Sequence, residues 1–246
     1  MYLISVAGVY FQSQQLHTAF IFAFPALLIF LAGFSLNDYF DFETDKINHP
    51  ERVLAKDASL MGFVISIYMG LFVATIAILL LPAFEQTRYA WAVLFLLLAN
   101  YNYVKSHYAS IKNAYMAIAA ATGLYVIDLA GDQMTAHWVY YLPFVAACFG
   151  RELYFDIPDI EGDGDSLAKR LGERKAYLLM VTLYAFAVAL GIALYFLDNR
   201  TVLLGILITL SVCFVIMSVF VDRHPKKTWM LSLGTNTALG AFIAHP

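Results

Sequence analysis

Apolar stretches of about twenty residues recur along the whole chain, and few folds can accommodate that pattern. A helix that spans a bilayer needs roughly 20 mostly apolar residues, because lipid offers no partner for an unpaired backbone group. Such segments lie at about 1–12, 17–38, 60–82, 88–104, 113–131, 138–155, 175–197, 201–221 and 229–244. The pattern predicts an all-α, polytopic transmembrane helical bundle of about nine helices around a central cavity. The first segment is shorter than a full span, so that helix is expected to be truncated or partial. With 61% hydrophobic and only 13% charged residues in 246, the chain has no stretch left for a soluble domain. Residues 1–246 are therefore expected to form a single membrane domain.

The few charges are concentrated between the apolar segments, and they are distributed unequally. Alternate connections hold 13 of the 15 Lys and Arg residues, whereas the others hold only Arg88 and Arg200. Positive charge is retained on the cytoplasmic side, so the charged connections are expected to face the cytoplasm. The same face carries 14 of the 18 acidic residues. The apolar N-terminus lacks a basic region and a small-residue cleavage site, and does not read as a removable signal peptide. Cys148 and Cys213 lie within apolar runs and the six histidines are scattered, so neither a disulfide nor a histidine-based metal site is expected. No nucleic-acid partner is expected; the predicted surroundings are membrane lipids.

Two connections stand out by length and content, residues 37–59 and 151–175. In the first, Asp38, Asp41 and Asp45 follow at intervals of three and four, which puts them on one helical face. In the second, Asp156, Asp159 and Asp163 repeat that interval. Three carboxylates on one face repel one another, and those nearest the apolar segment are also poorly solvated. The negative end of the helix dipole adds to the penalty. Solvated helix caps would explain one such stripe. Two with the same spacing, on one membrane face, call for a shared compensating cation.

Carboxylate oxygens suit Mg²⁺, which usually completes its octahedron with water and substrate phosphate oxygens. A phosphate-bearing substrate follows, and cationic donors for it are available on the same face: Lys46, Arg52, Lys105, Lys112 and Arg151. Calcium is disfavoured because the EF-hand loop pattern is absent. Intramembrane carboxylates also mark ion pathways, but a transporter would place its charges near the bilayer midplane.

The two motifs, Asn37-Asp38-Tyr39-Phe40-Asp41-Phe42-Glu43-Thr44-Asp45 and Asp156-Ile157-Pro158-Asp159-Ile160-Glu161-Gly162-Asp163, resemble those of the UbiA superfamily of intramembrane prenyltransferases. The nine-segment layout, with the motifs after the second and sixth segments, is similar as well. The strings NDYFDFETDKINHPER and GRELYFDIPDIEGD look most similar to the branch that prenylates glycerol phosphates. The resemblance implies Mg²⁺ ions that bridge both motifs to the diphosphate of a polyprenyl diphosphate donor, whose prenyl group passes to a lipophilic, aromatic or glycerol-phosphate acceptor. Asp38, Asp41, Asp156 and Asp159 would then be the catalytic residues. Asp38, Asp41, Asp45, Asp156, Asp159 and Asp163 would be metal ligands. Asn37, Lys46, Arg52, Lys105, Lys112 and Arg151 would bind diphosphate. Aromatic faces stabilise an allylic cation, and Tyr39, Phe40, Tyr101, Tyr103, Tyr154 and Phe155 are cavity candidates. The alternative within the resemblance is a terpene cyclase, in which the donor's own double bond captures the cation. The chain departs from the glycerol-phosphate branch at His49, which stands for an arginine, and at Phe155, which stands for a lysine. The loop after Asp163 is also compressed, and an N-terminal Arg-Pro segment is missing.

Overall fold

A computed structural model describes residues 16–130, 141–160 and 165–198, and among them there are helices and turns but no strand. The helices are α1 (Leu16–Phe40), α2 (Phe42–Asn48), α3 (Val53–Lys56), α4 (Met61–Leu79), α5 (Arg88–His107), α6 (Lys112–Ala130), α7 (Leu142–Asp156), α8 (Leu167–Leu171) and α9 (Glu173–Asp198). Three single 3₁₀ turns, Ala58–Leu60, Pro82–Phe84 and Ala109–Ile111, start or join the longer ones. Every apolar segment that falls on described residues became a long helix with ends within a few residues of the predicted limits. The expected segments 1–12, 201–221 and 229–244 lie outside the described residues, as does Asp163.

Length and apolarity suffice for a bilayer crossing in the spans Phe20–Phe40, Ala58–Leu79 and Glu173–Leu194. The 25 residues of α1 reach about 38 Å at 1.5 Å per residue, enough for the hydrocarbon layer. Pro25 interrupts one backbone hydrogen bond in α1, and it is fully buried against neighbouring helices rather than presented to lipid. α4 turns much of its apolar surface outward, with Phe63, Met69, Val73 and Ile76 exposed, as a lipid-facing helix does.

The helices pack in the spatial order α4, α1, α5, α6, α7, α9. Lipid is as apolar as leucine, so association in the membrane depends on close backbone approach and tight packing rather than on escape from water. Ala26, Ala32 and Ala119 accordingly pack with Ile29, Trp91, Leu94 and Val126 in the α1/α5/α6 core. Tyr115 adds a polar tie there, its hydroxyl donating to the Leu97 carbonyl at 2.8 Å. A second core joins α7, α8 and α9 through Leu153, Ala168, Ala176, Met180 and Tyr184.

The long charged connections are structured. α2 follows α1 after one turn residue, and the hydrogen bonds Asp41 N to Asn37 O (2.8 Å) and Asp45 N to Asp41 O (2.7 Å) keep helical register through the break. The expected single face for Asp38, Asp41 and Asp45 is thereby kept. The second connection differs from the first. α7 stops at Asp156, and Asp159 N bonds to Asp156 O at 3.2 Å in a tighter turn. Pro158, which has no N–H to give, removes the next helical bond. Asp159 is therefore a turn residue, not the second member of a helical stripe. Further on, Ser166 caps α8 by accepting from Lys169 N at 3.3 Å, and Gly172, at φ +72°, makes the left-handed corner into α9.

Candidate functional site

Both acidic motifs lie at the same end of the bundle, where the connection after the first reaches a side chain of the second. Asp41 is 7% exposed at the junction of α1 and α2, and its carboxylate accepts from Asn37 Nδ2 at 2.5 Å and from Lys105 Nζ near the end of α5. Asp156 is 8% exposed at the end of α7, and it accepts from Asn113 Nδ2 at 2.8 Å and from Lys112 Nζ at 3.0 Å. The two arrangements are chemically the same: one buried carboxylate, one carboxamide on one oxygen, one lysine on the other. His49, in the connection after the first motif, reaches the second motif at Asp159, with Nε2 3.4 Å from Asp159 Oδ1 and Nδ1 3.5 Å from Glu51 Oε1.

Asp45, 5% exposed on α2, is gripped by Arg52, whose Nη1 lies 2.9 and 2.8 Å from the two carboxylate oxygens. Burial works against the Arg52 charge, but the hydrogen bonds to Asp45 together with the negative charges of Asp45, Asp38 and Asp41 hold the guanidinium above its ordinary pKa. Asp38, by contrast, is exposed on α1. Beside the first motif, between it, the end of α5, the start of α6 and α8, opens a cleft of about 310 Å³. Its floor and walls include Asp41, Asn102, Lys105, Lys112 and Arg170, with the hydroxyls of Thr44 and Ser110. Arg170 on α8 is paired with Asp165 at the cleft's outer edge, and that guanidinium holds the Asp165 carboxyl below its usual range.

Of the six expected diphosphate ligands only Lys105 and Lys112 line this cleft; Asn37 and Arg52 are turned to Asp41 and Asp45, and Lys46 and Arg151 also stand apart from it. Lys46 turns to Glu43 at 2.9 Å and lies over the Phe42 ring at 3.9 Å. Arg151 forms a largely buried pair with its neighbour Glu152, Nη2 to Oε1 at 2.5 Å. The aromatic candidates divide similarly. Phe40 lines the cleft together with Tyr108, which the sequence did not single out. Tyr39, Tyr101, Tyr103, Tyr154 and Phe155 do not line it: Tyr39 packs on Phe40 at 5.4 Å, Tyr103 stacks on His107 at 4.2 Å, and Tyr154 meets Phe155 at 6.0 Å.

Asn113 and Asn102 are the residues that sequence reasoning missed. Both are almost fully buried, at 1% and 3% exposure. Their signal was a carboxamide beside a lysine at the start of an apolar segment, Lys112-Asn113, and a second carboxamide within Asn100-Tyr-Asn-Tyr-Val-Lys. Neither signal is strong without knowledge of what faces it. The amide oxygens of Asn37, Asn102 and Asn113 are buried and have no hydrogen-bond partner among the described residues. Buried acceptors without protein partners are uncommon, and amide oxygens so placed are able to accept from water or bind a hard cation.

The UbiA prenyltransferase family matches residues 1–243. The chain belongs to that family. Among its relatives, the digeranylgeranylglyceryl phosphate synthase of Methanosarcina mazei is 31% identical over 240 residues, covering 89% of this chain and 80% of the relative. The enzyme of the same name from Sulfolobus acidocaldarius is 26% identical over 235 residues, covering 91% of this chain and 84% of the relative. The apo structure of a UbiA homolog from Aeropyrum pernix K1 superposes with a TM-score of 0.76 at 18% identity, over 98% of this chain and 96% of that one, and so shares the fold. This UbiA-family chain is an integral membrane protein and a prenyltransferase.

Proposed function

We propose that this UbiA prenyltransferase binds the diphosphate of a polyprenyl donor with Mg²⁺ between its two aspartate motifs and passes the prenyl group to a glycerol-phosphate lipid. The observation that carries the reading is the pairing of two buried carboxylates, Asp41 and Asp156, with two lysines that line one cleft. The relatives' names support the acceptor class. The excess of positive charge on the motif-bearing connections supports a cytoplasmic position for the site.

The donor set fits Mg²⁺ bound together with phosphate. Among the described residues no three acidic or imidazole groups converge into a ready-made cage. Mg²⁺ needs no such cage, because one or two carboxylates with water and phosphate oxygens suffice. The residues that would hold it are Asp41, Asp45, Asp156 and Asp159, with Asp38 and Asp163 as further ligands from the motifs. The unpartnered amide oxygens of Asn37 and Asn113 beside those carboxylates are hard donors of the right kind. Mg²⁺ would supply neutralisation of the charge that develops on the departing diphosphate.

The protein's own groups have distinct tasks in this reading. Lys105, Lys112 and Arg170 are preorganised around the cleft to attract and orient an anion, which is where most of the rate enhancement in such chemistry originates. As the C1–O bond of the donor breaks, its electron pair leaves with the diphosphate. Phe40 and Tyr108 present aromatic faces to the allylic cation, and the acceptor oxygen bonds to C1 while its proton passes to the departing diphosphate. His49 holds the first connection against Asp159 of the second motif, and Arg52 fixes that connection to Asp45 of the first.

Chelation by EDTA is expected to abolish transfer from a radiolabelled prenyl diphosphate to a glycerol-phosphate acceptor, and added Mg²⁺ to restore it. Turnover that persists after chelation would overturn the metal requirement. A cyclic product formed without any acceptor would overturn the transfer reading in favour of a cyclase. Asn113→Ala removes the amide that orients Asp156, and groups in that position commonly contribute 10–100-fold in metal affinity. The Mg²⁺ concentration for half-maximal activity should therefore rise about 10–100-fold in this variant.

A further inference from the structure

Asp41 and Asp156 carry counter-ions already. Each buried carboxylate has an ammonium on Oδ1 and a carboxamide N–H on Oδ2. A divalent cation must compete with these lysines for the carboxylate charge. Lys112 has little freedom to leave into solvent, since its side chain is 6% exposed, and Lys105 is 21% exposed. A buried ammonium stripped of its carboxylate loses its compensation and becomes strongly unfavourable. Displacement by a bare cation is therefore resisted at both motifs. Both lysines line the same cleft, so an anion in that cleft offers each a new partner without any return to water.

We propose that Lys105 and Lys112 are exchangeable counter-ions that couple metal binding to diphosphate binding. In the unliganded protein they hold the metal's place on Asp41 and Asp156; when diphosphate arrives they transfer to its oxygens and release the carboxylates to the cation. The inference rests on the Mg²⁺–diphosphate reading above and adds an order to it: the cation binds weakly alone and tightly with diphosphate. Two further observations agree. No preformed acidic cage exists among the described residues. The carboxamides of Asn37 and Asn113 spend their N–H donors on the aspartates and leave their oxygens unpartnered, so rotation of the amide would turn a hard oxygen toward an arriving cation. The coupling is reciprocal, so diphosphate must also bind better when the cation is present.

The test uses the full-length protein in detergent, with Mn²⁺ as a spectroscopic substitute for Mg²⁺ and inorganic diphosphate as the anion. Protein-bound Mn²⁺ is followed by electron paramagnetic resonance in the wild type, Lys105→Gln and Lys112→Gln. In the wild type, diphosphate should tighten Mn²⁺ binding at least about tenfold, a coupling of ~1.4 kcal/mol. Each glutamine variant should bind Mn²⁺ alone about tenfold more tightly than the wild type and gain less from diphosphate. Lys112→Arg, which keeps the cation, should retain the coupling. If Lys112→Gln does not fold, as judged by its melting curve, Lys105→Gln carries the comparison from a less buried position. Variants that bind Mn²⁺ alone no better than the wild type would overturn the exchange while leaving the metal site standing. Absence of Mn²⁺ binding in every protein, with or without diphosphate, would overturn the metal reading and the exchange together.

Discussion

Asp156→Asn is expected to lower turnover of a prenyl diphosphate by about 10³-fold while the protein still folds, because loss of one preorganised electrostatic partner is typically worth that much. The substitution keeps the shape of the side chain and removes its charge. Asp156 is the member of the second motif that α7 itself positions: it is 8% exposed, with Asn113 Nδ2 at 2.8 Å and Lys112 Nζ at 3.0 Å. Without the carboxylate, Lys112 has lost the charged partner it meets at 3.0 Å, and on the proposed reading a cation held by the second motif would lose one of its ligands. Asp156→Ala should show the same loss of activity together with a lower melting temperature, since breaking a buried ion pair costs about 3–5 kcal/mol. Turnover of radiolabelled donor by Asp156→Asn within about tenfold of wild type would sink the assignment of this residue to the diphosphate site.

Gly150→Val is expected to be the most damaging of the glycine substitutions in the described helices. A Cβ at Gly150 would lie 2.9 Å from Tyr184 Cε2, 3.1 Å from its Cδ2 and 3.4 Å from the Met180 carbonyl oxygen. The first of these is closer than a Cβ can come, and Tyr184 is buried at 3% exposure, so its ring, and α9 with it, would have to move away from α7. Overpacking of this kind costs about 1–3 kcal/mol, and here it acts within two turns of Asp156. Thermal unfolding in detergent should show a clear loss for Gly150→Val, and activity should fall with it. Gly62→Ala and Gly70→Ala provide the contrast, since neither Cβ would meet any atom within 4 Å. Both should be neutral or stabilising by roughly 0.5–1 kcal/mol, because alanine is the better helix former. Equal melting temperatures for Gly150→Val and Gly62→Ala would show that α7 and α9 are not in the close contact described.

These glycines illustrate where a sequence stops being informative. Gly62, Gly70 and Gly150 all sit in apolar helices and look alike in one dimension; only the neighbour across the interface separates them. The helices themselves were legible, because the length of an apolar run and the thickness of a bilayer fix them almost independently of tertiary contacts. The first motif was legible for a similar reason. Asp38, Asp41 and Asp45 keep helical register through the junction of α1 and α2, so their spacing carries directly into geometry. The second motif was less so, because Pro158 ends the helix between Asp156 and Asp159 and the matching interval no longer means a matching face. Lys46 and Arg151 had the right charge in the right connections, yet Glu43 and Glu152 engage them. Asn113 is the reverse case, an unremarkable residue in one dimension that proves to orient Asp156.

The sequence alone determined that this chain is a membrane-embedded helical bundle with two acidic connections, since periodic apolarity and clustered charge are local properties that the bilayer converts directly into structure. The tertiary structure decided which charges pair across those connections: Lys105 with Asp41, Lys112 with Asp156, His49 with Asp159. The reason is physical. A buried ion forms its partnership with whatever lies within a few ångströms after folding, and the separation of 64 residues between Asp41 and Lys105 carries no trace of that distance.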